Sequence, residues 1–306
     1  MLSRTTSFSE QKTTLDYSIE FLDTFITSWF SKNEKKPLFL FISGPQGSGK
    51  SYTGVRIHKY LKDKYSNKCK NVLYASIDDF YLTHKDQLEL EKSNPNMTLW
   101  KGRGLPGTHD MSLLSQSINE ILAGFSGAHN VHVPKYINLP IYDKSRFNGT
   151  GDRSEVSKRE RLPADIVVFE GWFLGFDPVD TSKFHNKKDT FKNLPEMKLI
   201  NSHLYEYGDI LWKNRDIASL GIVFDTDDVV DRIQSWRVQQ EHETRAIYGE
   251  GLTDEEVIKF IDRYIPCYDV YYDKFTRSES LGSIATLTIK LDSQRRPLSL
   301  KTKSFD

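Results

Sequence analysis

The chain has 306 residues, of which 38% are hydrophobic and 12% aromatic, so a sizeable core can be buried and the composition argues against global disorder. Lysine plus arginine and aspartate plus glutamate number 42 each, and this neutral balance supports neither nucleic acid nor an anionic membrane as the main partner. No run of about 18 apolar residues is present, so the sequence contains no predicted membrane span.

The two cysteines, Cys69 and Cys267, are too few and too far apart for a disulfide framework or a zinc site. We therefore expect reduced cysteines in a cytoplasmic protein, with the nucleus as a second compartment. The sequence leaves the oligomeric state open between a monomer and a homodimer.

Apolar residues at helical spacing predict an N-terminal helix over about 15–31. The run "PLFLFIS" predicts a buried strand over 37–43, and a helix over 50–64 follows it. A second strand is predicted over 71–77.

A long segment rich in glycine, proline and polar residues occupies 78–110, and an amphipathic helix is predicted over 111–124. A second polar segment follows over 130–161, before a third buried strand over 164–171. The charged stretch 177–198 is interpreted as an insertion or surface arm.

A fourth strand is predicted over 220–227, and two helices over about 228–247 and 253–275. A fifth strand follows over 283–291, and the basic tail after Gln294 is expected to be loose.

Apolar strands that alternate with helices predict an α/β three-layer sandwich: a mainly parallel sheet of about five strands with helices on both faces. Residues 1–306 are expected to form one domain, with 78–110 and 130–161 as excursions from its core. Because ligands bind beyond the carboxyl ends of such strands, both excursions are placed where catalytic loops lie.

The stretch "GPQGSGKS" directly follows the first predicted strand and fits the pattern G-x-x-x-x-G-K-[ST]. Glycines let such a loop wrap phosphates with its N–H groups, the lysine reaches the β and γ phosphates, and the serine binds Mg²⁺. The alternative is a chance loop between a strand and a helix. The context that the motif requires, a strand before it and a helix after it, is predicted here. The fold is therefore expected to be that of P-loop NTPases. The predicted ATP-binding residues are Gly44, Pro45, Gln46, Gly47, Ser48, Gly49, Lys50 and Ser51.

A second carboxylate usually holds the metal from the end of another strand. "VVFEG" supplies Glu170 at such a place, and the alternative is a solvated acid after a strand. Ser51 and Glu170 are thus the predicted Mg²⁺ ligands.

The stretch "NKKD" over 186–189 matches the guanine-reading motif of GTPases, but it follows a charged arm instead of a buried strand. The D-x-x-G switch is also missing, since "FEGW" follows the third strand. We expect a chance match. An ATPase motor is not excluded by the sequence.

"SIDDFYLT" follows the second strand, and Asp78 stands at its carboxyl end. A kinase needs a carboxylate there to orient the acceptor hydroxyl and to take its proton. The alternative is an Asx turn or a helix cap made by Asp78 or Asp79.

Six ordered motifs over about 37–271 make a more specific resemblance. "IDDFY" resembles the D-S-F-Y and D-G-F stretches of uridine kinase, phosphoribulokinase and bacterial pantothenate kinase, and "RGLPGTHDMSLL" resembles the K-G-F-P-x-S-Y-D segment of pantothenate kinase. "LPIYDKS", "GTGDR", "VVFEGW" and "WRVQQE" together resemble the D-glycerate 3-kinase family most closely.

This resemblance implies an ATP- and Mg²⁺-dependent kinase that phosphorylates a hydroxyl of a small metabolite, with glycerate as the first acceptor to name. It implies that Asp78 is the catalytic base and that Glu170 lies near the metal. The acceptor-side residues that it implies are Asp79, Tyr81, Arg103, His109, Tyr142 and Lys144.

Several cations in the same segments suit a carboxylate or phosphate on the acceptor, so we expect an acidic small molecule. The candidates are Lys101, Arg103, Lys144, Arg146 and Arg153. The alternative for each of them is a solvated loop surface.

The predicted helix over 228–247 resembles the lid of these kinases. Arg237 or Arg245 would approach the phosphoryl group when the lid closes, and the motif favours Arg237 as the catalytic arginine. The alternative is a salt bridge to Glu241 or Glu243. Two other functions stay open: a nucleotide-binding regulatory or scaffold protein, and an ATPase or GTPase switch without a small acceptor.

Overall fold

The computed structural model describes residues 12–32, 34, 36–125, 135–180, 195–249 and 252–305. Its strands are β1 (Leu38–Ser43), β2 (Val72–Ser76), β3 (Tyr136–Leu139), β4 (Tyr142–Asp143), β5 (Asp152–Arg153), β6 (Lys158–Arg161), β7 (Ile166–Gly171), β8 (Ala218–Thr226), β9 (Ala285–Leu291) and β10 (Pro297–Ser304). Its helices are α1 (Thr14–Ser31), α2 (Lys50–Lys64), α3 (His84–Ser93), α4 (Met111–Ala123), α5 (Glu196–Ile210), α6 (Val229–Tyr248), α7 (Asp254–Asp262), α8 (Ile265–Cys267) and α9 (Asp273–Ser278). A 3₁₀ turn spans Ile77–Phe80, and a π-helical segment, Tyr268–Tyr272, joins α8 to α9.

Six strands form the central sheet, in the spatial order β10–β9–β8–β1–β7–β2. β1 pairs in parallel with both β7 and β8. β2 and β9 extend the parallel arrangement on either side, and β10 runs antiparallel to β9. Because five neighbouring strands share one direction, their carboxyl ends lie at one edge of the sheet.

Both faces of the sheet are buried, which explains the uninterrupted apolar run of β1. Phe39 and Phe41 pack on one face with apolar residues of α4, α5 and α7. Leu40 and Ile42 pack on the other face with α1 and α2. The predicted α/β fold with helices on both faces is confirmed. Within the described residues, no helix combines the length and apolarity needed to cross a bilayer.

The prediction of a loose tail after Gln294 is wrong. β10 pairs with β9 from Pro297 to Ser304, so the sheet has six strands where about five were predicted. All but the first of its residues are exposed. The only apolar alternation in this strand, Leu298 and Leu300, spans three residues and continues into polar residues, so the pattern is too short to predict a strand.

Both polar excursions contain regular structure that was not predicted. Residues 78–110 include α3, whose buried residue is Gln87. Within 130–161, the described residues from 135 onward form two antiparallel pairs, β3 with β6 and β4 with β5. These elements are short and polar, and hydrophobic periodicity does not detect such elements.

Two further boundaries differ from the prediction. The helix α5 begins at Glu196, inside the predicted charged arm, while residues 181–194 of that arm, which include "NKKD", lie outside the described residues. The helix predicted over 253–275 is interrupted after Asp262, and Pro266 stands in the first turn of α8. Proline is tolerated in a first turn but breaks a helix interior.

Phe41→Ala is expected to lower the free energy of unfolding by about 3–5 kcal/mol, because it leaves a cavity at a fully buried position of the central strand. Urea denaturation measures this loss. The control is Leu298→Ala on β10, where the side chain is 60% exposed and a change within about 0.5 kcal/mol is expected. Equal losses for the two variants would contradict the described packing.

Candidate active site

The register of the parallel strands brings three segments together. Glu170 of β7 pairs with Ile42 of β1 on one side and with Ser76 of β2 on the other. The phosphate loop begins just beyond Ile42, and Asp78 lies just beyond Ser76. The loop and both carboxylates therefore lie at the carboxyl edge of the sheet, where ligands bind in this class of fold.

The phosphate loop connects β1 to α2. Gly49 is the N-cap of α2 and has a left-handed backbone with φ of 90°, so the helix starts at Lys50. A Cβ atom added to Gly49 would meet no atom within 4 Å, which leaves open space in front of the helix. Free N–H groups and the positive end of the helix dipole face this space, and they favour an anion such as phosphate.

Gly47 allows close contact between the phosphate loop and α6. Its φ is 79°, and an added Cβ atom would lie 2.6 Å from the Cβ of Trp236. The indole of Trp236 is buried, and its Nε1 donates a hydrogen bond to the carbonyl of Ser293 (2.7 Å). The helix α6 is thus packed directly on the loop, at a position where any residue larger than glycine would clash.

Arg295, in the turn between β9 and β10, holds the same contact from the other side. Its Nε donates to the carbonyl of Gly47 (2.5 Å), and its Nη1 donates to Gln239 Oε1 on α6 (2.9 Å). Arg295 belongs to no motif, and Trp236 opens the "WRVQQE" motif without a predicted role. Their contacts with the loop were not predicted, because both contacts join distant parts of the chain.

Ser51 and Glu170 meet across the two strands. The Ser51 hydroxyl donates to Glu170 Oε1 (2.9 Å). The second oxygen, Oε2, is buried and has no hydrogen-bond partner among the described residues. The two predicted metal ligands are therefore adjacent, and one carboxylate oxygen is left free for a further partner.

Asp78 is held by two partners, one on each carboxylate oxygen. The ammonium of Lys144 lies 2.5 Å from Oδ2, and the hydroxyl of Tyr81 donates to Oδ1 (2.8 Å). Burial acts to raise the pKa of Asp78, but the charge and hydrogen bond of Lys144 outweigh it and hold the pKa below its ordinary value. The carboxylate is therefore ionised near neutral pH.

Lys50 completes a cluster of charges around the open space. Burial lowers the pKa of Lys50, while the negative charges of Glu170 and Asp78 raise it and the positive charge of Arg237 lowers it. The loop lysine and both carboxylates therefore belong to one cluster at the carboxyl edge of the sheet.

Asp79 has a structural position beside this cluster. One of its oxygens accepts the backbone N–H of Ser76 (3.3 Å), which completes the capping box of the 3₁₀ turn. The other accepts the N–H of Tyr142 (3.4 Å) and joins the turn to β4. The geometry supports the capping alternative, and a contact of Asp79 with the acceptor stays a prediction.

Four of the five predicted acceptor-side cations divide into two groups. Arg103 donates through Nη1 to the carbonyls of Gly149 (2.8 Å) and Thr150, so it braces the loop between β4 and β5. Arg153 pairs with Asp110 (3.0 Å), and the side chain of Arg146 also stays within the loop, on the carbonyl of Arg153. Lys144 differs from these three because its charge lies against Asp78.

His109 is buried and lies against the ring of Tyr81, with 4.6 Å between the ring centroids. Burial lowers its pKa to about 3, so the imidazole is neutral. The N–H of Gly107 donates to the oxygen of Tyr207 (3.0 Å), and Nδ1 of His109 lies 2.7 Å from that oxygen. The Tyr207 hydroxyl is therefore the partner of both the Gly107 backbone and Nδ1 of His109. The Nε2 of His109 is buried and has no hydrogen-bond partner among the described residues.

The two candidate arginines of α6, Arg237 and Arg245, have different partners. Arg237 donates to Gln240 (2.6 Å) on its own helix. Arg245 pairs with Asp254 (2.7 Å) at the start of α7, and His242 lies 2.8 Å from the same carboxylate. The alternative, a salt bridge to Glu241 or Glu243, is therefore wrong, because the partners are Gln240 and Asp254. Arg245 ties the end of α6 to α7, whereas the side chain of Arg237 stays on its own helix.

A mainly parallel sheet, a G-x-x-x-x-G-K-S loop at the start of a helix, and two carboxylates at the same edge define a P-loop nucleotide-binding protein. No family model matches the chain. The chain is 49% identical over 298 residues to "Probable ATP-dependent kinase TDA10" of Saccharomyces cerevisiae, covering 97% of this chain and 99% of that protein.

It is 35% identical over 280 residues to "Uncharacterized kinase mug58" of Schizosaccharomyces pombe, covering 87% of this chain and 92% of that protein. The solved D-glycerate 3-kinase of Cryptococcus neoformans superposes with a TM-score of 0.79 at 30% identity, covering 94% of this chain and 99% of that one. The chain belongs to the D-glycerate 3-kinase-like family of P-loop kinases and is an ATP-dependent small-molecule kinase.

Gly47→Ala is expected to lower the free energy of unfolding by about 1–3 kcal/mol and to weaken ATP binding, because the new methyl group cannot fit against Trp236. Urea denaturation and titration calorimetry measure the two effects. The control is Gly149→Ala, which has a similar φ of 85° but no atom within 4 Å of the added Cβ. If both variants lose the same stability, the contact with α6 is not the cause.

Proposed function

We propose that this kinase transfers the γ-phosphoryl group of ATP to a hydroxyl of a small acidic acceptor, with D-glycerate as the first candidate. The observation that carries the proposal is the position of Asp78, which lies at the end of β2 in the electrostatic field of Lys50 and against Lys144. D-Glycerate is named because a relative that aligns over nearly the whole chain is a D-glycerate 3-kinase.

The residues on the donor side fit a magnesium-bound nucleotide. Mg²⁺ takes oxygen ligands, usually one or two from protein and the rest from phosphates and water. The Ser51 hydroxyl and Glu170 are adjacent, and the free Oε2 of Glu170 suits the metal or its water. When bound, Mg²⁺ would neutralise charge on the β and γ phosphates.

Lys50 and the loop N–H groups hold the phosphates in this proposal. Arg237 approaches the transferred group when α6 closes as a lid, which is supported by the "WRVQQE" motif and by the packing of the neighbouring Trp236 on the phosphate loop. These fixed donors stabilise charge that develops on the phosphoryl oxygens, which is the main source of catalysis in phosphoryl transfer.

Asp78 orients the acceptor hydroxyl and receives its proton. The bond from the acceptor oxygen to phosphorus forms as the bond between phosphorus and the β,γ-bridging oxygen breaks, and ADP leaves. A loose transition state needs little proton transfer at the start, so a carboxylate of low pKa is a sufficient base. Tyr81 and Lys144 fix both of its oxygens before the acceptor arrives.

An acidic acceptor is supported by two kinds of donor near Asp78. Lys144 brings a positive charge, and His109 brings a buried Nε2 without a partner among the described residues, which is a donor in the tautomer that carries the proton there. A carboxylate satisfies a cation and a neutral donor together, whereas a base or sugar without charge leaves Lys144 bound to Asp78. The contacts of Arg103 with two loop carbonyls support a role in shaping this site.

In the presence of Mg²⁺ and ATP, D-glycerate is expected to raise the rate of ADP release above the rate without an acceptor. Pantothenate, uridine and ribulose 5-phosphate are expected to leave that rate unchanged. Asp78→Asn keeps the shape of the side chain but removes the base, so kcat should fall by about 10²–10⁴-fold. A coupled ADP assay measures both results. Nucleotide binding without stimulation by any acceptor would instead favour a regulatory protein that lacks turnover.

Lys144→Met is expected to move the acid limb of the pH profile of kcat/KM to higher pH. Asp78 must be ionised to act, and Lys144 holds its pKa down, so removal of the cation leaves burial to raise the pKa. The loss of activity on acidification then begins at a higher pH than in the wild type. Arg103→Met is the control, since it leaves the contact between Asp78 and Lys144 intact. An unmoved acid limb in Lys144→Met would exclude Asp78 as the group that sets it.

A further inference from the structure

The side-chain amide of Gln46, the third residue of the phosphate loop, is oriented by one tyrosine. The Tyr268 hydroxyl donates a hydrogen bond to Gln46 Oε1, and its oxygen accepts the backbone N–H of Gln46 (3.4 Å). A hydroxyl whose oxygen accepts an N–H has its own proton free to donate, and an amide oxygen accepts that proton. This assigns Oε1 to the end of the amide that faces Tyr268, and Nε2 to the other end.

The Nε2 group of Gln46 is buried and has no hydrogen-bond partner among the residues that the structure describes. An unsatisfied buried amide donor costs free energy, and such groups in native proteins are normally paired. Gln46 stands in a loop whose sequence and helix cap suit phosphate. A phosphate oxygen is therefore the partner that the chemistry of this position favours.

The partner of Gln46 indicates which end of the nucleotide it faces. Tyr268 packs on Trp172, with 5.3 Å between the ring centroids, and Trp172 packs on Tyr264 at 5.1 Å. Trp172 also packs on Phe173 at 5.2 Å, and Phe173 packs on His109, which lies against Tyr81, the tyrosine that donates to Asp78. The aromatic wall that holds Gln46 thus extends to Asp78, whereas Gly47, the next residue, contacts α6. Gln46 is therefore on the side of the loop that faces the wall of Asp78.

The π-helical segment explains how Tyr268 reaches the loop. Its wider turn buries Tyr268, Tyr271 and Tyr272 within five residues, and such segments are frequent at functional sites. Burial raises the pKa of Tyr268 well above its ordinary value, so the hydroxyl stays protonated and remains a donor. The hydroxyl of Tyr272 has separate partners, Asp225 Oδ1 and the N–H of Thr226, both 3.0 Å away.

We propose that Gln46 Nε2 donates a hydrogen bond to a γ-phosphate oxygen of ATP, and that Tyr268 is the positioning residue that aims it. The inference rests on the proposed chemistry of the loop and adds a side-chain donor to its backbone donors. Gln46 changes no bond during transfer. Its donor stays on an oxygen of the phosphoryl group while the group moves from ADP to the acceptor.

The test compares the binding of ADP with that of the non-hydrolysable analogue AMP-PNP, both with Mg²⁺, by titration calorimetry. Gln46→Ala is expected to weaken AMP-PNP about tenfold and ADP by less than about twofold, because only the analogue carries a γ phosphate. Gln46→Glu, which keeps the acceptor for Tyr268 but has no donor, should lose at least as much. Where an acceptor is known, kcat of Gln46→Ala should fall by about 10–100-fold.

Tyr268→Phe should show a smaller loss of the same kind, and Gln46→Ala/Tyr268→Phe should be no worse than Gln46→Ala alone. Tyr272→Phe is the matched control: it removes a buried hydroxyl from the same segment and should leave the ratio of AMP-PNP to ADP affinity unchanged. Thermal denaturation confirms that each variant is folded.

An unchanged ratio in Gln46→Ala, or additive losses in the double variant, would overturn the inference. The binding measurements need no acceptor, so they stand whether or not D-glycerate stimulates turnover. Failure of the acceptor assay with an intact loss of γ-phosphate discrimination would therefore refute the proposed acceptor and support the role of Gln46.

Discussion

The parallel register of β1, β7 and β2 is the constraint on which the site depends. Because Glu170 pairs with Ile42 and with Ser76, the chain must leave all three strands at the same height. The segments that follow can then place a lysine, a hydroxyl and two carboxylates around one space without long loops between them. Apolar burial on both faces of the sheet fixes this register, since a shift by one residue would turn the core side chains of every strand to the opposite face.

Hydroxyl groups of buried tyrosines set the direction of polar groups at several points around this space. Tyr81 holds Asp78, Tyr207 fixes the imidazole of His109, and Tyr268 orients Gln46. In each case burial favours the protonated phenol, so the direction of donation is the same across the physiological pH range. Tyrosine suits this purpose because its ring packs in an apolar wall while its single hydroxyl reaches a polar neighbour.

The fold and the loop could be predicted from the sequence because their signals are local. Apolar runs marked the five parallel strands, and the glycine-rich motif lay between a strand and a helix. The choice between Asp78 and Asp79 could not be settled this way, since it depends on which carboxylate the 3₁₀ turn directs to its own backbone. Contacts such as those of Gln46 with Tyr268 and Gly47 with Arg295 join residues 222 and 248 positions apart, and no periodicity or motif relates them.

The contact of Arg295 with the loop gives the last hairpin of the sheet a significance beyond its edge position. Its turn reaches from the C-terminal region to the backbone of Gly47 and to α6. Engineered changes near this turn therefore affect the nucleotide site. A truncation before Arg295, at a boundary drawn from hydropathy alone, would remove its hydrogen bonds to the phosphate loop and α6. A bulky fusion attached directly to β10 would disturb the same contacts.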